Sequence, residues 1–423
     1  MMKVTRRSFV AGASVLAAAP AVVLGQSQRI FKVAVVGCGG RGSGAVNDIT
    51  KAAERMGHKV VLVAAADFFV DKAKQVCKSH GCDEKFAFGG AAGYKKVMES
   101  DAEIVLLAAP PIFRALHAEA CVKAGKHIFA EKPVATDPAG LRAFLKVVED
   151  AQTAKLSILA GTVHRHNNRA LRQIKPIRDG VIGEIRGGVV YRCHGGIGSY
   201  IRPRRAEDTN ASYMANDWYM FHEMSGDHFV EQAIHEVDLA NWFIGRVPKT
   251  AMGIGARHRR VTGNTYDCFS VDYNYGDDLH IHAIARQING CSDRCCTSLV
   301  GEHGTIDVLG KIKRFDGKEV VYDEDAIKGR DANGLIMEHW DFLTGLVSGN
   351  YVQEGELVAM ATATTLMGVM AAYTGGTVRM SDLLTNQDSP YYNMNNSFTA
   401  LDFESDKDVP LPKEECAPVP GKA

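Results

Sequence analysis

The chain has 423 residues, 46% hydrophobic and 23% charged, with 49 Lys and Arg set against 49 Asp and Glu. That length is about twice a single domain and that balance belongs to a folded protein with a large core, which excludes one small module and a mainly disordered chain. A formal net charge of zero leaves no electrostatic footprint for nucleic acid, and ten cysteines without a C-x-x-C pair are too dilute for a disulfide scaffold.

Residues 1–25 differ from everything after them. Thr5-Arg6-Arg7-Ser8-Phe9-Val10 places two arginines ahead of an apolar, Ala-rich run that ends at Gly25, the pattern of a twin-arginine export signal. The run is short for a bilayer and holds Gly and Pro20, so it reads as a cleaved signal rather than an anchor, cut near Gly25 and Gln26. No integral membrane span is expected after its removal, and the expected destination is the periplasm or the cell exterior. This route carries proteins already folded, so cysteines buried in the cytoplasm are expected to stay reduced.

From residue 31, short apolar runs alternate with amphipathic stretches. Runs 32–37, 59–67, 102–110 and 127–133 read as buried parallel strands separated by helices, with 156–163 as one more. Residues 26–160 are therefore expected to form a doubly wound α/β domain of the Rossmann type. Beyond it the reading is a helix at 169–179, a strand over 183–196, an irregular stretch from 195 to 224 and a helix at 231–244. Residues 250–325 hold several antiparallel strands, one hairpin turning at Gly276-Asp277-Asp278. Helices at 335–348 and 354–373 complete an α+β domain of 161–384, an open-faced, mostly antiparallel sheet with helices on one face, and a polar tail spans 385–423. The open face is expected to pair, giving a homodimer or homotetramer.

Gly37-Cys38-Gly39-Gly40-Arg41-Gly42 fits G-x-G-x-x-G directly after a strand and before a helical stretch. The first glycine makes the tight turn, the second admits a pyrophosphate to the backbone, and the third allows close helix–strand packing. Asp67 closes the second strand, where a carboxylate accepts from ribose hydroxyls and repels a 2′-phosphate, so NAD is expected over NADP. Arg41 is the one feature that favours NADP.

The fourth strand carries Ala124-Gly125-Lys126-His127-Ile128-Phe129-Ala130-Glu131-Lys132-Pro133. Together with the Gly-rich turn, Ala109-Pro110-Pro111 and His117, Asp179-Gly180 to Gly183-Glu184-Ile185, the segment 231–238 and Ala372-Tyr373-Thr374-Gly375-Gly376, it resembles the Gfo/Idh/MocA oxidoreductases, relatives of glucose-fructose oxidoreductase and inositol dehydrogenase. The resemblance implies hydride transfer between nicotinamide and a carbon bearing a sugar or polyol hydroxyl. It implies cofactor contacts at Ala109, Pro110, His117, Glu131 and Lys132, with Lys132 also touching substrate. It further implies an acid and a histidine on one helix, here Glu231 and His235, the histidine exchanging the hydroxyl proton. The chemistry is coherent, since removing hydride from an alcohol requires removing its proton and an imidazole is matched to that task. Glu231 departs from the family pattern, where most relatives have Asp.

His164 and Arg165, just past the last strand of the first domain, and Trp218 are candidate substrate contacts, with Tyr219, His222 and His228 in the same irregular stretch. His280-x-His282 lacks a third ligand and Cys291, Cys295 and Cys296 lack a fourth, so no metal is expected. Met360, Met367 and Met370 read as core. Three functions follow: an exported NAD-dependent dehydrogenase acting on a sugar, glycoside or cyclitol with its cofactor retained; an enzyme that oxidises transiently, eliminates and reduces again, cleaving a glycoside with no net redox change; and a non-catalytic sugar-binding protein on a Rossmann frame.

Overall fold

Residues apolar on both sides cannot face water on either, so Ile30–Val36 (β1), with Phe31 and all of Val33 to Val36 buried, sits at the centre of a sheet. The computed structural model describes residues 28–196, 204–405 and 407–413; the expected export signal lies outside the described residues. After β1 the chain alternates through α1 (Gly40–Arg55), β2 (Lys59–Asp67), α2 (Val70–Ser79), β3 (Ala87–Gly89), α3 (Gly93–Met98), β4 (Ile104–Leu107), α4 (Arg114–Lys123), β5 (His127–Ala130), α5 (Pro138–Thr153) and β6 (Ile158–Ala160). The six strands are parallel in the order β3-β2-β1-β4-β5-β6. Order reverses at β1, and the carboxyl ends of β1 and β4 open a crevice there, the ligand position of such sheets. The expected runs 102–110, 127–133 and 156–163 contract to four, four and three residues; in the first two, Pro110, Pro111 and Pro133 have no N–H for a ladder.

The second unit runs through α6 (Asn168–Arg178), β7 (Ile185–His194), α7 (Asn210–Asn216), α8 (His222–Ser225), α9 (His228–Glu231), α10 (Ile234–Ile244), β8 (Thr250–Ala256), β9 (Cys268–Gly276), β10 (Leu279–Gln287), β11 (Arg294–Gly301), β12 (Gly304–Asp307) and β13 (Ile312–Arg314). It continues in α11 (Gly334–Ser348), α12 (Gly355–Thr374), β14 (Val378–Arg379) and α13 (Met380–Leu384). The eight strands lie in the order β13-β12-β11-β7-β10-β9-β8-β14, with β7 and β10 parallel and every other pair antiparallel. The hairpin at 276–279 is a two-residue turn with Asp277 and Asp278 both left-handed, at φ 55° and 56°, the backbone that matches strand twist. The stretch expected to be irregular after residue 195 holds α7 and α8 among its described residues. Thr209 caps α7 by accepting from the Ser212 N–H.

Two departures from the sequence reading bear on the site. The helix expected over 231–244 is broken: α9 ends at Glu231, Gln232 takes φ −106°, and α10 restarts from Ala233. The boundary expected at 160/161 is also not clean, because α11 returns to the first domain. Its Ile336, Phe342, Leu343 and Leu346 join Phe31, Val33, Ile49 and Phe129 in one buried cluster. Ile158 N–H donates to Val352 O at 3.0 Å, and Glu354 N–H returns to Ile158 O at 2.8 Å. Helix α12 is long and apolar enough to cross a membrane, yet 94% of its most apolar window is buried inside the protein, where it packs on α5, α9, α10, β8 and β9. The described part of the tail straps back over both units: Phe403 meets Phe113 edge-on at 5.1 Å, and Asn396 donates to Thr136 Oγ1 at 2.8 Å and to Glu223 O at 3.2 Å.

Phe342 tests the returning helix. Phe342→Ala removes a fully buried ring and is expected to cost about 3–5 kcal/mol, read as a lowered midpoint in guanidinium denaturation.

Candidate active site

The turn after β1 is built around backbone contacts that admit no side chain. Gly37 has φ 92°, and a Cβ there would lie 2.3 Å from Ala109 N; a Cβ on Gly42 would lie 1.7 Å from Gly37 O. Gly39 and Gly40 have nothing within 4 Å of a notional Cβ, so their role is to leave room on the cleft side. Helix α1 starts at Gly40 with no side-chain cap, and its unpaired first-turn N–H groups form an anion site. Asp67 closes β2 and accepts from Cys38 N at 2.7 Å and Phe69 N at 2.9 Å. Each carboxylate oxygen keeps a lone pair for a hydroxyl.

These groups line a cleft of about 480 Å³ that also takes in Lys72, Ala109, Pro110, His117 and Trp218. His117 lies between Tyr94 and Phe113, at ring separations of 4.4 and 5.6 Å. Burial, with the Arg114 charge second, pushes its pKa down to about 3. Neither of its ring nitrogens has a hydrogen-bond partner. A nucleotide in the cleft would satisfy a nitrogen otherwise orphaned, so the residues present fit one.

Arg41, the feature favouring NADP, is committed elsewhere. Its Nη2 bonds Asp48 Oδ2 at 2.5 Å and its Nε lies 3.3 Å from Glu131 Oε1. Glu131 is buried, and desolvation raises its pKa against the opposing charges of Arg41, Lys132 and Arg114. Its carboxylate also explains Gly161, where a Cβ would come within 2.5 Å of Glu131 Oε2. Arg114, which the sequence did not single out, is buried and donates to Leu107 O and, at 2.7 Å, to Ala109 O. It holds the end of β4 in place beneath the cleft.

A second cavity of about 310 Å³ adjoins the first, sharing Arg41, Ala108, Ala109 and Trp218, and brings together Glu131, Lys132, Glu231 and His235. Lys132 Nζ donates to Glu231 Oε1 and to Glu231 O, both at 2.6 Å. Glu231 Oε2 accepts from Gln232 Nε2 at 2.5 Å, Gln232 Oε1 accepts from Arg192 Nη2 at 2.5 Å, and Arg192 Nη1 lies 2.9 Å from Glu236 Oε1. Burial raises Glu236 to about 7. The break after α9 leaves the Glu231 carbonyl facing Lys132. Asp227 caps α9 at φ 83°, ψ 161°, a backbone region strained for any residue but glycine. It is fully buried and accepts from the Tyr266 N–H at 2.9 Å and the Tyr373 hydroxyl.

His235 projects its ring into this cavity 5.2 Å from the His164 ring. Burial first, then Lys132, His164 and Arg192, holds its pKa well below the ordinary value, so at neutral pH it is a neutral base. His164 is lowered too, by burial and then Arg192.

Arg165 is corrected. Instead of reaching substrate, its Nε and Nη2 grip Asp238 at 2.8 and 2.7 Å in a buried bidentate pair. Trp218 borders both cavities. Of its neighbours, Tyr219 is buried with its hydroxyl accepting from Gln287 at 2.9 Å, His228 is buried against Asp227, and His222 packs on Tyr373. His280 pairs with Asp272 and His282 with Ser270. Gln232 and Arg192 carried no signal in the sequence, because their value lies in a chain of contacts between β7 and α9.

A glycine-rich turn at a switch point, an acid closing the second strand, and a lysine and histidine facing the same crevice define an NAD-binding oxidoreductase. Residues 31–158 match the oxidoreductase family with an NAD-binding Rossmann fold, and residues 171–307 match the GFO/IDH/MocA C-terminal domain. The chain belongs to the Gfo/Idh/MocA family. It is 28% identical over 195 residues to inositol 2-dehydrogenase of Rhizobium meliloti (strain 1021), covering 46% of this chain and 51% of that one. It is 29% identical over 192 residues to a glycosyl hydrolase family 109 protein of Streptomyces coelicolor, 44% of this chain and 37% of that one. It is also 29% identical over 143 residues to 2,7-anhydro-N-acetylneuraminate hydratase of Escherichia coli K12, 33% of this chain and 34% of that one. These matches span about half the length of the curated relatives or less. Among solved structures, aldose-aldose oxidoreductase from Caulobacter crescentus superposes with a TM-score of 0.64 at 18% identity, over 83% of this chain and 100% of that one. The WlbA dehydrogenase from Bordetella pertussis gives 0.65 at 19%, over 83% and 99%; both are likenesses of fold.

Asp67→Ala is expected to weaken NAD binding about tenfold and to erase its advantage over NADP, measured by calorimetry with both nucleotides. For His235, the ring-proton NMR titration is expected to have its midpoint well below 6.5 and to move upward in Lys132→Met; an unmoved midpoint would remove Lys132 from its environment.

Proposed function

We propose that the chain oxidises or reduces a hydroxyl-bearing carbon of a sugar, glycoside or cyclitol with an NAD(H) it retains. The observation that carries this reading is the convergence of Lys132, Glu231 and His235 on one cavity beside the nucleotide cleft. NAD, when bound, supplies the hydride acceptor and donor. The first-turn N–H groups of α1, Asp67 and the orphaned His117 would hold it.

The chain's own residues handle the proton and the developing charge. Neutral His235 takes the hydroxyl proton on a ring nitrogen in oxidation and returns it in reduction. Lys132 Nζ stabilises alkoxide character on the same oxygen. Glu231 holds that ammonium through both its carboxylate and its carbonyl, so its part is to position Lys132. That answers the departure from Asp: the longer acid spans from Gln232 to Lys132. Trp218 offers a ring to a sugar face at the rim.

The twin arginines Arg6 and Arg7 support export after folding, and an exported enzyme without a free nicotinamide pool needs its cofactor bound. The same retention serves a second reading, redox-neutral glycoside cleavage through transient oxidation and elimination, which is supported by the matches to the glycosyl hydrolase and the hydratase. Self-association through the uncovered sheet face is supported by Met252 and Ile254 on β8, 59% and 73% exposed; light scattering after size exclusion is expected to give a dimer or tetramer.

Denaturing the purified protein and assaying the supernatant is expected to release NAD(H); an empty supernatant would count against both readings. With a panel of sugars and glycosides, a persistent change in reduced-nicotinamide absorbance marks redox turnover, and cleavage without net change marks the second reading. Lys132→Ala and His235→Ala are each expected to lower hydride transfer at least about 10²-fold while retaining nucleotide.

A further inference from the structure

Two cysteines meet at the end of α2. The chain leaves this helix through Gly81, left-handed at φ 69°, and Cys82 N–H donates to Cys77 O at 2.9 Å. A bond from one residue back to the fifth before it is the outer bond of a Schellman turn, which brings the side chains of the two bonded residues into contact. That contact is commonly hydrophobic. Here both side chains are thiols, Cys77 in the last turn of the helix and Cys82 just past the left-handed Gly81.

The surroundings give the two sulfurs different roles. Cys77 is fully buried under the helix and Cys82 is partly exposed, so a reagent from solvent reaches Cys82 first. A disulfide requires Cα atoms about 4.4–6.8 Å apart with side chains pointing together, and the bond from Cys82 N–H to Cys77 O holds the two backbones side by side.

We propose that Cys77 and Cys82 form a dithiol–disulfide pair, a modification site whose oxidant is a small disulfide such as oxidised glutathione. The Cys82 thiolate attacks one sulfur of that oxidant and expels a thiol, leaving a mixed disulfide. The Cys77 thiolate then attacks the Cys82 sulfur and expels the second thiol. Two electrons pass to the oxidant, and the two cysteine protons leave on the expelled thiols. Burial, with Asp83 and Glu84 nearby, raises Cys77 to about 12 and raises Cys82 as well, so the exchange is slow and suits a lasting cross-link rather than a rapid catalyst. The helix so fastened begins next to the nucleotide cleft, where Phe69 and Lys72 line the wall beside Asp67. The inference rests on the turn alone and stands whatever the substrate.

The sequence supplies a direct test. Lys74, Lys78 and Lys85 make trypsin cut between the two cysteines, so a Cys77–Cys82 bond joins peptide 75–78 to peptide 79–85. The full-length folded protein is equilibrated with oxidised glutathione at mildly alkaline pH, alkylated, digested without reductant and analysed by mass. The expected result is the joined pair at a mass two hydrogens below the separate peptides, lost with dithiothreitol, lost in Cys82→Ser and kept in Cys291→Ser. Cys82→Ser alters a partly exposed side chain and is expected to fold, checked by circular dichroism. Alkylation of both residues, glutathione on Cys82 with Cys77 still alkylated, or Cys77 joined to another cysteine would each overturn the proposal.

Discussion

An ammonium and a carboxylate that share one buried contact set the terms for the rest of the molecule. The side chains of Lys132 and Glu231 are each only 10% exposed, and they come from opposite units, one from the end of β5 and the other from the last residue of α9. Removing two charges from water costs about what their attraction returns, so the pair adds little net stability, but either partner left alone would cost roughly 3–5 kcal/mol. The contact is therefore a condition on geometry more than a source of energy. It is met only if the end of the parallel sheet and the short helix arrive at the same place, and where they meet, the second cavity opens beside the nucleotide cleft. Asp227, strained and buried, opens the short helix that ends at Glu231.

The electrostatic layout follows from that meeting. One end of the cleft is marked by the Asp67 carboxylate, while the other is crowded with cations: Lys132, Arg41, Arg114 and Arg192. Burial first, and then nearby cations, resists protonation of an imidazole, and so His117, His164 and His235 are all lowered. Carboxyls placed there are pulled both ways, burial raising Glu131 and Glu236 while the cations oppose it. Environments that keep a histidine neutral beside a charged lysine separate a proton acceptor from an electrostatic stabiliser within one cavity.

Short-range pattern made most of the fold readable. Strand β2 falls at the expected bounds because nine residues run unbroken to an acid, and the Gly-rich turn is legible because its spacing reports backbone proximity directly. Lys132, Glu231 and His235 were legible through their likeness to a family. Contacts between distant residues were not. The Arg165–Asp238 pair joins positions 73 apart, and a basic residue after a strand looks the same in sequence whether it faces substrate or a buried acid. The direction of Arg41 on α1 depends in part on Glu131, which lies just past the end of β5. The break after Glu231 hid beneath an unbroken helical pattern, since nothing local forbids a helix there. The return of α11 was invisible for the same reason, as an amphipathic helix does not name the surface it will cover.

The exchange of Asp for Glu at position 231 shows how such long-range facts decide chemistry. An acid whose two oxygens were free could share the proton with His235 or bond the substrate itself. In this chain Oε1 is held by Lys132 and Oε2 by Gln232, which is anchored in turn by Arg192 on β7. With Oε1 on Lys132 and Oε2 on Gln232 the carboxylate is held in place, and His235 lines the same cavity with its pKa lowered by burial and then by Lys132. The acid is thus braced through Gln232 to a cation on β7, a connection no local pattern discloses.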